Sequence, residues 1–455
     1  MSPTSPASAD TPKPVALFIT PAIWDGGRGR GKPTVAYTLY GFRDAGYAVH
    51  VVAPTNRPEA EATTERDGFQ LHLFQIQGLP VDFEFDADHA FSTLVRGGGS
   101  ALRRHLTYRL FWLRFLQLGT RRAHEVAREH NPALVYGFQN SGAPVAWRIG
   151  RRLGPKTVTT ARIMGSAIGA LAPARWQPPE QRGGLARAAR RFLLRHLIRF
   201  DEIQALRLPY DRLILTDDGQ VDAATLNGWL QVPTERLRLW RNGLDKAAFH
   251  AAPEPAEARA RLGLPSQSPI VLWVSQLVDF RHPERLIKAM PAVLREHPDA
   301  LFVLVGDGPE AEPLRRRAEA LGVADALRFE GFQLRENIPL YYRAADVYAA
   351  FSDLSNLSNT LLEAMLSGTA IVTLDNGRTH EVIRHEANGL LLPPGRQAAI
   401  PDALNRLLGD TTLRAQLGEQ AARDALRDVP TWSERIQREV DELDALVAHR
   451  RPSPS

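Results

Sequence analysis

Short apolar runs of strand length alternate with helix-like patterns along most of the chain, and this alternation is the strongest constraint on the fold. In the first half, residues 15–20 read as a strand, residues 33–45 as a helix and residues 49–54 as a second strand. A strand, turn, helix and strand in this order form one βαβ unit, which predicts a parallel sheet covered by helices. The glycine-rich turn inside the unit is expected at the C-terminal edge of the sheet, where ligands bind.

A second series of the same kind begins after a loop-like stretch at residues 262–269. Because 455 residues are too many for one ordinary core, we predict an α/β fold of two doubly wound domains, residues 13–240 and 241–430. A last helix within residues 431–449 is long enough to cross back to the first domain. The apolar runs predicted as buried strands of the second series are 270–275, 301–308, 327–332, 345–352 and 369–374.

The composition is that of a globular protein, with 44% hydrophobic and 24% charged residues and a net charge of +5. There is no cysteine, which excludes disulfides, thiolate metal sites and cysteine nucleophiles. Because no stretch resembles a signal peptide or a spanning helix, we expect a cytoplasmic protein, with the inner face of the cell membrane as an alternative location. The chain ends, residues 1–12 and 450–455, are expected to be disordered.

The glycine-rich turn DGGRGRGKPT (residues 25–34) matches part of a nucleotide-binding P-loop. Gly26, Gly31 and Lys32 fit the G-x-x-x-x-G-K pattern, in which backbone N–H groups and a lysine hold phosphates. The next position of that pattern is a Ser or Thr that binds Mg²⁺, whereas this chain has Pro33. Nucleotide hydrolysis at this turn is therefore the weakest functional alternative.

A polar turn follows the strand predicted at residues 345–352 and opens a helix near Asn359. Free N–H groups and the helix dipole at such a start favour an anion such as a pyrophosphate. Glu363 follows one turn later, where its carboxylate can accept hydrogen bonds from a ribose diol. Gln276 and Arg281 lie beyond another predicted strand, and an arginine can bind phosphate oxygens in a bidentate manner. An equally open interpretation of Arg281 is a surface residue beside carboxylates.

The order and spacing of several segments in the second half form a longer pattern. This pattern resembles the family 4 glycosyltransferases of GT-B fold and is continuous from Asn242 to about Pro430. The resemblance implies two Rossmann-like domains that face a cleft, with a nucleotide-sugar donor held mainly by the second domain and an acceptor mainly by the first. It also implies retention at the anomeric carbon, without a bound metal or other cofactor. The segments that carry it are WRNGLDKAAF (240–249), WVSQLVDFRHPERLIKAM (273–290), FVLVGDGPEAEPL (302–314), LRFEGF (327–332), YYRAADVYAAFSD (341–353), LLEAMLSGTAIV (361–372) and NGRTHEVIRHEANGLLLPPG (376–395).

The resemblance assigns roles to individual donor-binding residues. The basic pair for the donor diphosphate falls on Gln276 and Arg281, and the ribose-binding glutamate on Glu363. The nucleobase is expected against the backbone near Phe332. Glu381 falls on a frequent family position behind the pocket, where a structural role is equally open. The donor-binding set is completed at the helix start by Asn356, Ser358, Asn359, Thr360 and Leu361, and the amides of the last three are expected to meet phosphate and sugar.

One family position is changed in this chain. The family has a further glutamate eight residues before the ribose-binding one, in contact with the donor sugar, and this position is Ser355. Asp353 is close but out of register. Ser355 is therefore counted with Arg281 among the candidate catalytic residues. Use of another group, an unusual donor sugar and loss of catalysis remain alternatives.

The first half matches the family less closely. The glycine-rich turn lies where the family has a Gly-Gly loop near the donor β-phosphate, so Gly27, Gly29 and Gly31 are expected to bind the donor. Arg162 stands about where many members place a histidine near the sugar, which makes it the third catalytic candidate. A strand-end arginine paired locally is an equally open interpretation.

These observations predict a retaining transferase of the hexosyltransferase type (EC 2.4). Its donor would be a UDP- or GDP-sugar and its acceptor a hydroxyl of a glycan or a lipid-linked molecule, in bacterial-type surface polysaccharide or glycolipid synthesis. The alternatives are a degenerate GT-B domain that only binds a partner, and a nucleotide-sugar epimerase on the same fold. Nucleic acid is not expected as a partner, since no aromatic platforms accompany basic grooves.

Arginines recur every four residues in the segment 185–200, as one basic stripe. The favoured interpretation is a solvated helix face whose apolar side lies in the domain core, and the alternative is contact with an anionic membrane surface. The 13 histidines form no H-x-x-x-H pattern, so they are expected to be structural and no metal ligand is predicted. The stripe consists of Arg187, Arg191, Arg195 and Arg199.

Overall fold

A computed structural model describes two α/β domains, each built around its own sheet. The predicted fold class of two doubly wound domains is therefore confirmed. The described residues are 14–21, 34–55, 62–76, 101–164, 184–193 and 200–451.

The strands of the first domain are β1 (Val15–Ile19), β2 (Ala48–Thr55), β3 (Thr63–Arg66), β4 (Phe69–Gln75), β5 (Leu134–Phe138), β6 (Val158–Ile163), β7 (Arg212–Thr216) and β8 (Leu237–Trp240). They form one sheet in the order β3-β4-β2-β1-β5-β6-β7-β8. Neighbouring strands are parallel except β3 and β4, which form an antiparallel hairpin. Helices cover both faces, so β1 and β5 are apolar over nearly their whole length, as doubly buried parallel strands must be.

The described helices of the first domain are α1 (Thr34–Asp44), α2 (Ala101–Arg114), α3 (Thr120–His130), α4 (Gln139–Leu153), α5 (Leu185–Leu193), α6 (Phe200–Arg207) and α7 (Ala223–Leu230). A π-helical turn, Phe115–Gly119, joins α2 to α3. The helix predicted at residues 33–45 is confirmed as α1, whereas the preceding turn with Gly27, Gly29 and Gly31 lies outside the described residues. In the part of the chain that the structure describes, no helix combines the length and apolar character needed to span a membrane.

The basic segment at residues 185–200 is helical over α5. The side chains of its four stripe arginines lie outside the described part of the structure. Leu185 is 92% exposed and Leu193 is 45% exposed. The favoured interpretation, which placed the apolar side of this helix in the domain core, is therefore wrong for these two residues.

The strands of the second domain are β9 (Ile270–Val274), β10 (Leu301–Val305), β11 (Leu327–Gly331), β12 (Val347–Ala350), β13 (Ala370–Leu374) and β14 (Leu390–Leu392). They form a parallel sheet in the order β11-β10-β9-β12-β13-β14. The five strands predicted here are confirmed with small changes at their ends. β10 stops at Val305 because Gly306 takes a φ of 135°, and a Cβ at that position would lie 1.9 Å from the carbonyl oxygen of Ser275.

The helices of the second domain are α8 (Lys246–His250), α9 (Pro255–Leu262), α10 (Glu284–Glu296), α11 (Ala311–Ala320), α12 (Ile338–Ala344), α13 (Asn359–Leu366), α14 (Ile400–Gly409) and α15 (Thr411–Asp428). The helix start predicted near Asn359 is confirmed, because α13 begins there with Ser358 as its N-cap. A parallel strand followed by a helix N-terminus places that N-terminus at the C-terminal edge of the sheet.

A last helix, α16 (Trp432–Arg450), returns to the first domain. It begins with a capping box in which Thr431 and Glu434 satisfy each other's backbone N–H groups. Its apolar side chains share one core with those of α1 and the first sheet, and the rings of Trp432 and Tyr37 stack at 4.6 Å. The helix therefore ties the end of the chain to the first domain.

The end of α16 differs from the sequence-based expectation. Residues 450–455 were expected to be disordered, yet Arg450 donates to the Thr157 carbonyl at 2.6 Å and pairs with Asp211. Arg451 donates to the Pro132 carbonyl at 2.9 Å. These two arginines are fixed because their guanidinium groups satisfy carbonyl groups at the start of the first sheet. Residues 452–455 lie outside the described part of the chain.

Candidate functional site

A small cavity lies at the C-terminal edge of the second sheet, where β9, β12 and the start of α13 meet. Four residues selected from the sequence contribute to its wall, although they come from two separate segments. The polar lining includes Ser275, Arg281, Tyr348, Ser352, Asn356, Ser358 and Thr360.

The start of α13 presents backbone donors at this cavity. Ser358 caps the helix, since its Oγ accepts a hydrogen bond from the Leu361 amide at 3.3 Å and its carbonyl accepts one from the Leu362 amide at 3.1 Å. Among the described residues, no protein acceptor meets the N–H of Asn359 or Thr360. These two amides lie at the positive end of the helix dipole, which suits an anion.

The amide of Leu361 differs from the other donor-binding amides predicted from the sequence. Its amide was expected to meet phosphate or sugar, but the N-cap Ser358 already accepts its hydrogen bond. The Leu361 side chain is fully buried in the core of the domain. The anion-facing amides are therefore those of Asn359 and Thr360.

Arg281 supplies the positive charge at the cavity. Burial lowers the pKa of its guanidinium, and the neighbouring Tyr348 and Asp218 oppose that shift. None of the ion pairs between described residues involves Arg281. Glu284, one of the carboxylates considered beside it, pairs instead with His282 at 2.8 Å. Arg281 is half-buried, and partial burial of a guanidinium without an ion-pair partner is costly for a folded protein, so an anionic ligand would offset that cost.

A chain of hydroxyl groups fixes the floor of the cavity. The Tyr348 hydroxyl donates to Thr360 Oγ1 at 3.0 Å, and Thr360 Oγ1 lies 2.9 Å from Ser358 Oγ. Burial raises the pKa of Tyr348, so its hydroxyl remains a proton donor at neutral pH. Asn356 is 1% exposed and uses its side chain to bond Ser352 N and Leu374 O, both at 2.8 Å. Asn356 thus shapes the loop that forms the cavity wall.

Glu363 lies one turn into α13 and is only 7% exposed. Burial raises the pKa of its carboxyl to about 7, and Arg335, whose guanidinium is 3.8 Å away, limits the rise. Asp245 lies near enough to raise the same pKa further. Glu363 is therefore a buried carboxyl that changes charge near neutral pH, close to the anion-facing helix start.

Ser355 lies beside the cavity but in a structural turn. Its hydroxyl accepts a hydrogen bond from the Leu357 amide at 3.1 Å, and the residue is 5% exposed. A Cβ on Gly219 would lie 2.8 Å from Ser355 Oγ, and a Cβ on Gly377 would lie 2.9 Å from Ser355 Cβ. Ser355 is therefore closely packed against the backbone of these two glycines and does not line the cavity. Its predicted catalytic role stays a prediction.

Arg162 is likewise not at the cavity wall. Its guanidinium is 3% exposed, donates to Thr38 Oγ1 at 2.9 Å and to Asn242 Oδ1 at 3.2 Å, and lies 3.8 Å from Glu439 of α16. These contacts agree with the alternative interpretation, a locally paired arginine, and the predicted contact with the sugar stays a prediction. Because Asn242 Nδ2 lies 3.4 Å from Asn359 Oδ1, Arg162 is placed to position the start of α13 through Asn242.

The remaining donor-binding candidates lie around the cavity without lining it. Gln276 is exposed just beyond β9, and Phe332 is 52% exposed just beyond β11. Both are at the C-terminal edge of the second sheet, on the side of β10 and β11. Within the described ranges, the side chains able to hold a metal together lie elsewhere, in the first domain.

Sequence reasoning missed a loop that reaches this region from the first domain. Residues 217–219 follow β7, and the Gly219 carbonyl accepts a hydrogen bond from the Arg378 amide at 2.7 Å. Burial raises the pKa of Asp218 to about 6, its carboxylate accepts a hydrogen bond from Gln220 Nε2 at 2.6 Å, and Arg281 opposes the pKa rise. The available signal was the sequence DDG directly after the apolar strand β7.

Ion pairs between two arginines and two carboxylates complete the contact between the domains. Arg378 pairs with Asp217 and, at 2.9 Å, with Glu381, while Arg241 pairs with Asp217 at 3.3 Å and with Glu381. Glu381 thus takes the structural role that sequence analysis had left open.

The second domain matches a known family. Residues 255–424 match the family Glycosyl transferases group 1. D-inositol 3-phosphate glycosyltransferase of Salinispora arenicola is 30% identical over 259 residues, 54% of this chain and 57% of the relative. The chain thus spans about half the length of the curated relatives it matches.

Solved structures match over nearly the whole chain. Sucrose-phosphate synthase from Thermosynechococcus elongatus aligns over 96% of this chain and 100% of its own, with a TM-score of 0.68 and 20% identity. Anabaena Alr3699/HepE in complex with UDP and glucose aligns over 95% of this chain and 99% of its own, with a TM-score of 0.62 and 17% identity. The second domain thus resembles the group 1 glycosyltransferases, and the whole chain has the two-domain fold of these solved structures.

Proposed function

We propose that this protein is a retaining glycosyltransferase that moves a sugar from a nucleoside-diphosphate sugar to a hydroxyl acceptor. The observation that carries the proposal is that the half-buried guanidinium of Arg281 and the start of α13, with the amides of Asn359 and Thr360, lie at the same sheet edge, where Arg281 and Thr360 line one cavity. Sugar transfer leaves negative charge on a departing diphosphate, and fixed positive groups stabilise that charge. The match of the second domain to the group 1 glycosyltransferases supports the same reaction class.

In this proposal the second domain holds the donor. Arg281 and the two amides bind the diphosphate, and ionised Glu363 accepts hydrogen bonds from the ribose diol. The bond between the anomeric carbon and the phosphate oxygen breaks while the acceptor oxygen bonds to the same face of that carbon. The acceptor's proton passes to the departing phosphate oxygen, so no bound metal or other cofactor is assigned a role.

In this proposal Asp218 takes the role of the glutamate that the family has at the position of Ser355. Gly219 packs closely against Ser355, and the same loop carries Asp218 to a place where its carboxylate and Arg281 influence each other's pKa. Its carboxylate would face the positive charge that develops on the sugar, where a negative group stabilises the transition state.

The acceptor is proposed to be a glycan or a lipid-linked molecule bound at the first domain. One face of α2 carries Leu106, Leu110 and Leu113, which are 58%, 43% and 57% exposed. Exposed apolar residues at helical spacing suit the surface of a bilayer. We therefore place the protein in the cytoplasm at the inner face of the membrane, and flotation with anionic vesicles, lost in the variant L106S/L110S/L113S, would test this.

A thermal-shift screen against UDP-, GDP- and ADP-sugars tests the donor assignment, since a ligand that binds the folded state raises its apparent stability. Sugars of one of the three nucleoside diphosphates should raise the melting temperature. Release of that nucleoside diphosphate should then depend on an acceptor. No shift with any of these donors would contradict the proposal.

A degenerate GT-B domain that only binds a partner is the second candidate, favoured by the serine at position 355, where the family has a glutamate. It predicts a thermal shift with the donor but no release of nucleoside diphosphate with any glycan or lipid acceptor. Release without an acceptor, together with a changed sugar, would instead indicate an epimerase.

A further inference from the structure

Three histidines converge in the first domain, on the face of the sheet covered by α3. His50 lies on β2 and His72 on the neighbouring strand β4. The strand register pairs His50 with Gln70 and Val52 with His72, so the two histidines lie on the same face. His130 is the last residue of α3 and continues its buried stripe of Ala123, Val126 and Ala127.

The geometry of the three rings suits a shared ligand. His50 Nδ1 and His72 Nε2 are 2.9 Å apart, and one nitrogen from each of the three histidines lies within 4.8 Å of the other two. Four-coordinate zinc with Zn–N distances of about 2.0–2.1 Å requires ligand nitrogens about 3.3 Å apart. His50 and His72 are already close to this spacing, whereas His130, whose ring centroid lies 4.0 Å from that of His50 at an interplanar angle of 33°, has to turn toward them to bind the same ion.

A neighbouring hydroxyl can fix the orientation of one of the rings. When His72 binds a metal through Nε2, its Nδ1 proton faces Thr63 Oγ1, which lies 3.4 Å away. Thr63 is itself held by Arg122, whose guanidinium donates to Thr63 Oγ1 at 2.8 Å. Such an outer partner fixes the ring orientation and tautomer of a metal-binding histidine.

Two groups beside His130 carry negative charge that favours a bound cation, and one arginine beside His72 opposes it. Carbonyl groups at the C-terminal end of α3 carry the negative end of the helix dipole. The carboxylate of Glu129 lies 3.6 Å from His130 Nε2. Arg122 acts in the opposite direction, since it contributes to the lowered pKa of His72.

We propose that His50, His72 and His130 form a binding site for a divalent transition-metal ion, with Zn²⁺ as the best-suited ion and a water molecule as its fourth ligand. Three imidazoles around one point are a common donor set for zinc. α3 ends at His130, just before β5 begins, so the cluster lies near the edge of the sheet opposite the C-terminal edge. The ion would therefore join β2, β4 and α3 without taking part in sugar transfer. The proposal is independent of the proposed function. In the absence of metal the three rings would form a hydrogen-bonded polar corner of the core.

The test uses the full chain without an affinity tag, dialysed against a chelator and then titrated with Zn²⁺ or Co²⁺. We expect one equivalent of bound metal by elemental analysis, a raised melting temperature, and the visible absorption of four-coordinate Co²⁺. The variant His130→Ala should weaken metal binding by at least about tenfold, the smallest loss typical even for an outer-shell partner of a metal. The matched control His124→Ala changes the same residue type on the same helix, outside the cluster, and should bind as the parent does.

Three outcomes would overturn the proposal. One is the absence of a saturable 1:1 Co²⁺ spectrum in the parent protein, which needs no variant and so remains decisive if His130→Ala misfolds. Another is equal loss of binding in both variants, and the third is unchanged binding in His130→Ala. His130 retains 28% side-chain exposure, so its truncation is the change in the cluster that folding should tolerate best.

Discussion

The guanidinium of Arg378 in the second domain binds the carboxylate of Asp217 in the first, across the contact between the domains. The Arg378 amide also donates to the Gly219 carbonyl at 2.7 Å, two residues further along the same loop. These two contacts hold Asp218, the residue between them, toward Arg281. A shift of the loop would therefore move a carboxylate out of the proposed active site.

We expect Asp217→Asn to destabilise the protein by about 1–3 kcal/mol, because it removes a charge-assisted hydrogen bond from a largely buried pair. Urea unfolding measures this. The control Glu386→Gln breaks the exposed pair with Arg406 and should leave stability nearly unchanged, because surface ion pairs contribute little. An equal effect of the two changes would show that the Asp217 contact does not fix the loop.

The variant Asp218→Asn tests the carboxylate that this loop carries. We expect sugar transfer to fall by at least about tenfold, while the affinity for the nucleoside diphosphate alone changes little, since Asp218 is proposed to face the sugar. Because the pKa of Asp218 is raised to about 6, activity of the parent should fall as the pH drops through 6, and this fall should be absent in the variant. The nearby N-cap change Asp222→Asn should leave transfer intact. Full activity of Asp218→Asn would remove this residue from the site.

Glu363 makes stability depend on pH. Its pKa is raised from 4.5 to about 7, so the folded state holds the proton more tightly than the unfolded state does. The stabilising contribution is complete below about 4.5 and is lost as the pH rises through 7. Glu363→Gln should therefore be more stable than the parent at pH 8, by up to about 3 kcal/mol, and similar to it at low pH. Unfolding by urea at pH 5 and pH 8 would measure this difference in stability. The same pH dependence in both proteins would contradict the expectation.

The variant Glu363→Gln should also bind the donor more weakly than the parent. An ionised carboxylate accepts two strong hydrogen bonds from a ribose diol, whereas an amide accepts at one oxygen only. The affinity of the parent for the donor should rise as the pH passes 7, and the affinity of Glu363→Gln should not change there. Titration calorimetry with a nucleoside diphosphate at both pH values measures the difference.

Much of the second domain follows from sequence periodicity alone. The apolar runs predict its strands, and the polar turn before Asn359 predicts where α13 begins, because these are local patterns of backbone and side chain. The role of Ser355 depends instead on Gly219, which is 136 positions away and belongs to the other domain. Arg162 likewise meets Glu439 only because α16 returns to the first domain. No local pattern encodes such contacts.

The histidine cluster shows the same limit. His50, His72 and His130 have no metal-binding spacing in the sequence, and only the neighbouring positions of β2, β4 and α3 bring their rings together. A prediction of which strands pair and which face α3 covers would have been needed to find them.

The replacement Ser355→Glu tests whether packing explains the changed family position. The backbones of Gly219 and Gly377 lie against Ser355, so the larger side chain must displace the loop, at a cost of about 1–3 kcal/mol. We expect lower activity as well, because Asp218 moves with that loop. Ser355→Ala should retain most of the activity, since the hydroxyl bonds only to the local backbone at Leu357. An active and equally stable Ser355→Glu would show that the family glutamate fits after all.

Titration of UDP, GDP and ADP into the parent protein and Arg281→Ala tests the account most directly, with Arg295→Ala on the exposed side of α10 as the control. The account predicts that one of these nucleotides binds the parent and Arg295→Ala alike, and binds Arg281→Ala at least about 100-fold more weakly. Arg281→Ala without ligand should be no less stable than the parent, because it removes a half-buried charge that lacks an ion-pair partner among the described residues. Equal affinity of Arg281→Ala and the parent would contradict the claim that this guanidinium holds the donor diphosphate.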